Sequence, residues 1–172
     1  MAVTARWRSA DGGGLEHLVI EETSSGHKVD AVVVGDAVGA PFWAHWRLTV
    51  DAAWRTRRLD VEVVGHDRRL ALRADGEGSW TNVDGVPLPD LAGAIDLDLS
   101  ASPFTNTLPI RRLALPVGGA AEIVSSPMCR SRTSRSSPTR SAIPISASVA
   151  GCSNRATPTS SARSRSTRTA WW

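Results

Sequence analysis

The sequence predicts an all-β fold: an antiparallel meander that forms an incomplete, open barrel and is followed by a disordered Arg/Ser-rich tail. Turn-forming residues recur about every ten residues over the first 124 positions, with no long helical period between them. Several segments between these turns alternate apolar and polar side chains, as half-buried strands do. All 17 acidic residues lie before Ser125, so the composition changes abruptly at that point.

The first half of the meander contains four predicted strands. A glycine-rich turn precedes a strand that reads Leu-Glu-His-Leu-Val-Ile, and a Ser-Ser-Gly turn leads into a second strand that ends in three valines. The third segment is rich in aromatic and β-branched residues, and the fourth alternates strictly. The predicted bounds are 15–20, 27–34, 42–50 and 58–63.

The second half continues this pattern. A hairpin turn at 65–67 leads into a strand at 69–73, and a turn at 75–78 leads into a strand that starts at Ser79. Pro87 and Pro89 bracket an irregular stretch, with one helical turn predicted at 88–92. The alternation Ile-Asp-Leu-Asp-Leu predicts a strand within 91–99. Strands at 108–115 and 120–124 complete the set.

Charge divides the chain into two parts. Residues 1–124 carry 12 basic and 17 acidic groups, a net charge of −5, whereas residues 125–172 carry eight basic groups and no acidic one. We therefore expect a β domain at 1–124, incomplete at its C-terminal end, and a low-complexity tail at 125–172. No apolar stretch is long enough to span a membrane and the start lacks a secretory signal, so a cytoplasmic location is expected.

The motifs of common enzymes and cofactor sites are missing. The sequence has no phosphate-binding loop, no dinucleotide fingerprint, no nucleophile elbow and no HExxH pair. Cys129 and Cys152 lie in the tail without metal-binding spacing, and we interpret them as free thiols. We therefore predict no cofactor, no metal site and no enzymatic activity.

Two groups of charged residues have more than one interpretation. Arginines and tryptophans interleave between positions 43 and 58, a pattern that can stack on single-stranded nucleic acid or hold an anionic or sugar head group. A solvated strand face is an equally good interpretation, and the negative charge of the domain disfavours specific nucleic-acid binding. Asp96 and Asp98 share one strand face, where they could act as an acid–base pair or, more simply, form structural hydrogen bonds and ion pairs.

The most distinctive segment is Ser-Pro-Phe-Thr-Asn-Thr-Leu-Pro-Ile-Arg-Arg-Leu at 102–113. Together with DAAWRTRRLDV, GEGSW, IDLDL and the entry WRSADGGGLEHL, it resembles the bacterial family called "putative glycolipid-binding" proteins, in the family's order and over nearly all of 1–124. The resemblance implies a fold similar to bacterial lipoprotein carriers, an unclosed antiparallel barrel whose concave face accepts lipid. The ligand-binding residues expected within these motifs are Trp54, Arg55, Trp80, Asp98, Asn106, Arg111 and Arg112.

The tail departs from the family pattern, which continues with further strands, a Gln-x-Tyr element and an Asp-x-Asp-Gly-Leu-Val-like turn. Regrouping GC-rich codons by one base turns the final SRSTRTAWW into a string such as IEVDADGLV, and SPTRSAIPIS into one that contains Gln-x-Tyr. We therefore predict that the tail is read out of frame and that a one-base change near codon 125 of the coding DNA restores a family-like ending. Stop codons in that frame would disprove this. The competing interpretations are a basic partner-binding tail and a plain disordered extension.

Three functions follow from these observations. The first is noncatalytic binding of a lipid or glycolipid-like amphipathic molecule, in which apolar strand faces hold the acyl chains while the arginines and Asn106 hold the polar head. The second is an enzyme that uses Asp96 or Asp98 with Arg111 or Arg112. The third is a truncated product without function. The sequence does not predict an oligomeric state.

Overall fold

The computed structural model describes residues 1–37, 40–115 and 147–150. Seven strands form one antiparallel sheet in the order of the sequence, and the sheet does not close on itself, so β1 and β7 are its two edges. This confirms the predicted open, antiparallel meander. The strands are β1 (Ala2–Arg8), β2 (Leu15–Thr23), β3 (Gly26–Ala37), β4 (Ala40–Asp51), β5 (Thr56–Val63), β6 (Arg68–Ala74) and β7 (Trp80–Asn82).

Alternation along each strand gives the sheet an apolar inner face and a charged outer face. The register brings inner side chains of neighbouring strands into rows across the sheet. One row contains Glu16, Val33 and Ala44, which pair directly across β2, β3 and β4. Another row, at the far end of the same strands, contains His27 and Val50. Val33 and His27 are separated by six residues of β3, or ~20 Å.

The inner face is covered by residues 88–113, which we call the cover segment. The same hydrophobic core contains side chains of the sheet and six buried apolar residues of the cover: Leu91, Ala94, Leu97, Leu99, Phe104 and Leu108. The elements of the cover are a 3₁₀ helix (Pro89–Leu91), β8 (Asp96–Leu99), a second 3₁₀ helix (Pro103–Asn106) and α1 (Thr107–Arg112). The concave face expected to accept a ligand is therefore packed with the chain's own side chains.

The predicted strand at 108–115 is wrong, because residues 107–112 form the helix α1. Phe104 and Leu108 are both buried and lie four residues apart, which is the spacing of one helical face rather than of a strand. Pro109 is tolerated because the first turn of a helix leaves its N–H groups without intrahelical partners. Arg111 and Arg112 lie in the last turn, where the helix dipole favours cations.

Two other elements differ from the sequence-based expectation or extend it. The sequence analysis did not assign β1, which pairs with β2 over its whole length. The strand β9 (Ala147–Ala150) lies in the segment predicted to be disordered, where its backbone pairs with the edge of β8 in a separate two-stranded sheet. The predicted helical turn at 88–92 is confirmed by the 3₁₀ helix there.

The other predictions for the end of the chain fall outside the described residues. They are the strand at 120–124, the domain boundary, the reading frame and the remainder of the tail. Within the described part of the chain, no helix is long and apolar enough to cross a membrane.

Candidate functional site

Two of the sequence-predicted site residues, Trp54 and Arg111, meet at one end of the inner face. The indole of Trp54 stacks on the imidazole of His27, with ring centroids 4.2 Å apart and planes inclined by 25°. The guanidinium of Arg111, at the end of α1, lies 5.6 Å from the centroid of the same indole, a cation–π arrangement. The ring thus contacts both a sheet residue and the cover segment.

The β4–β5 turn directs Trp54 back over the sheet. The Asp51 carboxylate accepts hydrogen bonds from the backbone N–H groups of Ala53 and Arg55, both at 2.9 Å. The backbone carbonyl of Asp51 accepts a hydrogen bond from the N–H of Trp54, also at 2.9 Å. Trp54 itself has a φ of 62°, a left-handed conformation that costs a non-glycine residue about 1 kcal/mol. Such backbone strain persists only where surrounding contacts impose it, and it concentrates at functional sites.

Two buried polar atoms lie beside this stack. His27, Val50 and Thr56 are cross-strand neighbours on β3, β4 and β5, so their side chains form one row of the inner face. The Nδ1 atom of His27 and the Oγ1 atom of Thr56 are buried without a hydrogen-bond partner within the described residues. Thr56 is 0% exposed. We call His27, Trp54, Thr56 and Arg111 the Trp54 cluster.

A close backbone approach positions this row. Gly26 starts β3 opposite Asp51, with a φ of +141°. A Cβ atom at Gly26 would lie 2.2 Å from the carbonyl oxygen of Val50, far inside van der Waals contact. Only glycine therefore allows the β2–β3 hairpin to approach the end of β4 and to place His27 beneath the indole of Trp54.

The other predicted site residues lie elsewhere. Arg55 is half-buried beside Gly76, and Asn106 is exposed at the start of α1, at the opposite end of that helix from Arg111. Trp80 is 2% exposed and donates its indole N–H to the carbonyl of Ala94 at 2.7 Å, which makes it a core residue.

Asp98 and Arg112 also lie outside the Trp54 cluster and have structural partners. Asp98 is exposed and accepts a hydrogen bond from the hydroxyl of Thr105 at 3.0 Å. The Asp96 carboxylate, which is 1% exposed, takes two nitrogens of Arg112, with the shortest contact at 2.6 Å. Within the cover segment, these contacts join α1 and the second 3₁₀ helix to β8, in agreement with the structural interpretation of the two aspartates.

A buried carboxyl that the sequence analysis missed lies at the other end of the inner face. Glu16 is 2% exposed and accepts hydrogen bonds from the indole N–H of Trp46 at 3.1 Å and from the hydroxyl of Ser102 at 3.0 Å. Burial raises the pKa of Glu16 to about 7, although the bonds from Ser102 and Trp46 oppose the rise. Glu16 lies two residues before the buried Leu18 on β2, so strand periodicity places both side chains on the same face, and this signal could have predicted its burial.

Glu16 and the Trp54 cluster together hold the motif at 102–113, which is the second half of the cover segment, near both of its ends. Ser102, the first residue of the distinctive motif, bonds to Glu16, while Arg111, near its end, lies on Trp54. Between them, Phe104 packs against Trp46 with ring centroids 6.1 Å apart. The motif at 102–113 therefore runs along the inner face from one row of the sheet to the other.

The interleaved arginines and tryptophans do not form one surface. Trp43 is 52% exposed on the outer face, whereas Trp46 is buried on the inner face. Arg47 and Arg58 lie on the outer face, where they pair with Asp30 and Asp60. No group of three His, Cys, Asp or Glu side chains that could hold a metal ion occurs in residues 1–37 and 40–115.

Comparison with known proteins finds a family that matches most of the chain. The family model described as "Putative glycolipid-binding" matches residues 4–127. A crystal structure of a DUF1089 family protein from Pseudomonas aeruginosa is similar, with 38% sequence identity and a TM-score of 0.53. The match covers 64% of this chain and 59% of that protein, so this chain spans less than two thirds of its length. No curated protein matches the chain.

Proposed function

We propose that this chain, which belongs to the family described as "Putative glycolipid-binding", binds an amphipathic, glycolipid-like molecule without catalysing a reaction. The observation that carries the proposal is the Trp54 cluster, a polar group at one end of the apolar inner face. Trp54 offers an aromatic face on which a sugar ring can pack, and Arg111 offers a cation above it. The apolar rows behind them suit an acyl chain, because its burial contributes about 0.8 kcal/mol per methylene.

Uptake of an acyl chain requires the cover segment to lift from the sheet. Phe104 and Leu108 now fill the space above the inner face, and both are at most 2% exposed. The motif at 102–113 is fastened near its two ends by Glu16 and the Trp54 cluster, so a ligand head group that replaces the Arg111–Trp54 contact would release one end. We therefore propose that the motif at 102–113 covers the inner face when no ligand is bound and gives way to the acyl chain when a ligand binds.

The pairing of the aspartates supports binding rather than catalysis. Both oxygens of Asp96 are engaged by Arg112, and the Asp98 carboxylate accepts from Thr105, so each carboxylate already has a structural partner. A general acid or base must instead reach the proton of a substrate. The hypothesis of an enzyme is tested by incubating the protein with ester and glycoside substrates. Turnover that disappears in the variant Asp98→Asn would favour an enzyme over a binding protein.

A binding assay tests the proposal. Delipidated protein is titrated with two fluorescent fatty-acyl probes of equal chain length, one with an anionic head and one with a neutral head. We expect the protein to bind both probes, and we expect Arg111→Ala to weaken the binding of the anionic probe more than that of the neutral probe. Arg69→Ala is the matched control, since Arg69 is an exposed arginine on the outer face. Folded protein that takes up neither probe would remove the proposal.

A further inference from the structure

The two unpartnered polar atoms beside Trp54 show what kind of head group this site suits. Burying a hydroxyl or imidazole nitrogen without a hydrogen bond is unfavourable, and such groups are rare in folded proteins. Here Thr56 Oγ1 and His27 Nδ1 share one row of the inner face on either side of Val50, and the indole of Trp54 stacks on His27. Thr56 can donate through its hydroxyl, and His27 can donate through Nδ1 when that nitrogen carries the proton.

We propose that the Trp54 cluster binds an anionic oxygen group, such as the phosphate of a lipid head, through Thr56 Oγ1, His27 Nδ1 and the Arg111 guanidinium. This deepens the proposed function and rests on it, because it names the head-group chemistry of the same site. Hydrogen bonds to an ionised oxygen are roughly twice as strong as neutral ones, so an anion satisfies these donors better than a sugar hydroxyl does.

The charged groups around the cluster are compatible with an anion. Arg111 stands above the ring, whereas the side chain of Arg55, in the same turn as Trp54, lies beside Gly76. The turn also contains Asp51, but its carboxylate already accepts two backbone N–H groups. Glu22 is the cross-strand neighbour of His27 and is exposed, so solvent screens its charge. Arg111 thus faces one exposed carboxylate and one that is engaged in the turn.

The indole of Trp54 stacks on His27, so it must shift for an anion to reach that imidazole. Within the described residues, the side chain also lies near the cation of Arg111 and packs, partly buried, against the hydrophobic core, with no hydrogen bond from the indole. Trp54 has a left-handed backbone, a kind of strain that concentrates at functional sites. Trp54 therefore covers the His27 donor.

The test uses Thr56→Val in the full-length chain, because valine keeps the shape of threonine and removes the hydroxyl. If Thr56 Oγ1 is unpaired in the free protein, the variant should melt roughly 4 °C higher, since it buries no unpaired polar atom. It should also bind dodecyl phosphate about tenfold more weakly, while its binding of dodecyl maltoside, with the same alkyl chain and a neutral sugar head, stays unchanged. Thr49→Val, on the outer face of β4, is the matched control and should change neither value.

Each outcome separates the inference from the proposed function. A lower melting temperature for Thr56→Val would mean that the fold itself satisfies the hydroxyl, and it would overturn the inference. Equal losses for both alkyl probes, or none, would do the same while leaving the lipid-binding proposal intact. If the protein binds inorganic phosphate but neither alkyl probe, the anion site would be supported, and the claim that the anion belongs to a lipid head would be overturned. Binding of no probe by folded protein would overturn both.

Discussion

The buried carboxyl of Glu16 predicts an unusual dependence of stability on pH. Burial raises its pKa to about 7 from an ordinary value of 4.5, and the unfolded chain keeps the ordinary value. Below pH 4.5 the group is protonated in both states. As pH rises from 4.5 to 7 the unfolded chain loses the proton while the folded chain retains it, so the free energy of unfolding falls. At about 1.4 kcal/mol per pH unit, the loss reaches roughly 3 kcal/mol and stays constant above pH 7.

The variant Glu16→Gln removes the titration and keeps the shape of the side chain. Its amide oxygen can accept from Trp46, and its amide nitrogen can donate to the hydroxyl of Ser102. We expect the stability of the variant relative to the parent to increase by roughly 3 kcal/mol between about pH 4 and about pH 8. Because only the change with pH is used, any constant difference between amide and carboxyl cancels.

Chemical denaturation at a series of pH values measures this change. Glu21→Gln is the matched control, because Glu21 lies on the same strand with its side chain exposed on the outer face. A relative stability of Glu16→Gln that stays constant to within about 0.5 kcal/mol over the whole range would refute the reasoning. It would mean that Glu16 is as well solvated in the folded protein as in the unfolded chain.

Two further substitutions test how the cover segment holds together and how it packs on the sheet. In urea denaturation, Arg112→Met should lower the free energy of unfolding by about 3–5 kcal/mol, because it leaves the buried Asp96 carboxylate unpaired. Arg69→Met should lower it by under about 1 kcal/mol, since the pair of Arg69 with Glu62 is exposed. Equal losses would show that the Asp96 pair is not buried in solution. Leu108→Ala should lower the free energy of unfolding by about 2–5 kcal/mol, and proteases should cleave the cover segment before the sheet unfolds. A loss under about 1 kcal/mol would mean that the cover is not packed on the sheet.

Local patterns were sufficient to predict the sheet apart from its edge strand β1. Strand periodicity and turn residues depend on the nearest few neighbours in sequence, so β2 to β6 could be located without tertiary information. A meander also joins neighbours in sequence, which makes the strand order follow from the chain order. The motif at 102–113 was recognised as distinctive, and the family was identified correctly from it and its companions.

Local patterns could not distinguish helix from strand at 107–112. The segment is short, contains Pro109 and has few apolar residues, so both periods fit it. Packing decided the outcome, because only a helix buries Leu108 beside Phe104 while it directs Arg112 to Asp96 and Arg111 to Trp54.

The candidate site was likewise only half determined by the sequence. Trp54 and Arg111 stand out as residue types, but they are distant in sequence and only the folding of the cover onto the sheet brings them together. His27, Thr56 and Glu16 carry no motif at all. Their significance comes from burial and from the partners that they have or lack, which depend on the register of the strands and on what covers the inner face. The sequence by itself determined β2 to β6 and the family, and the tertiary structure decided which polar groups lie buried, because burial is a property of the packed chain and not of any one segment.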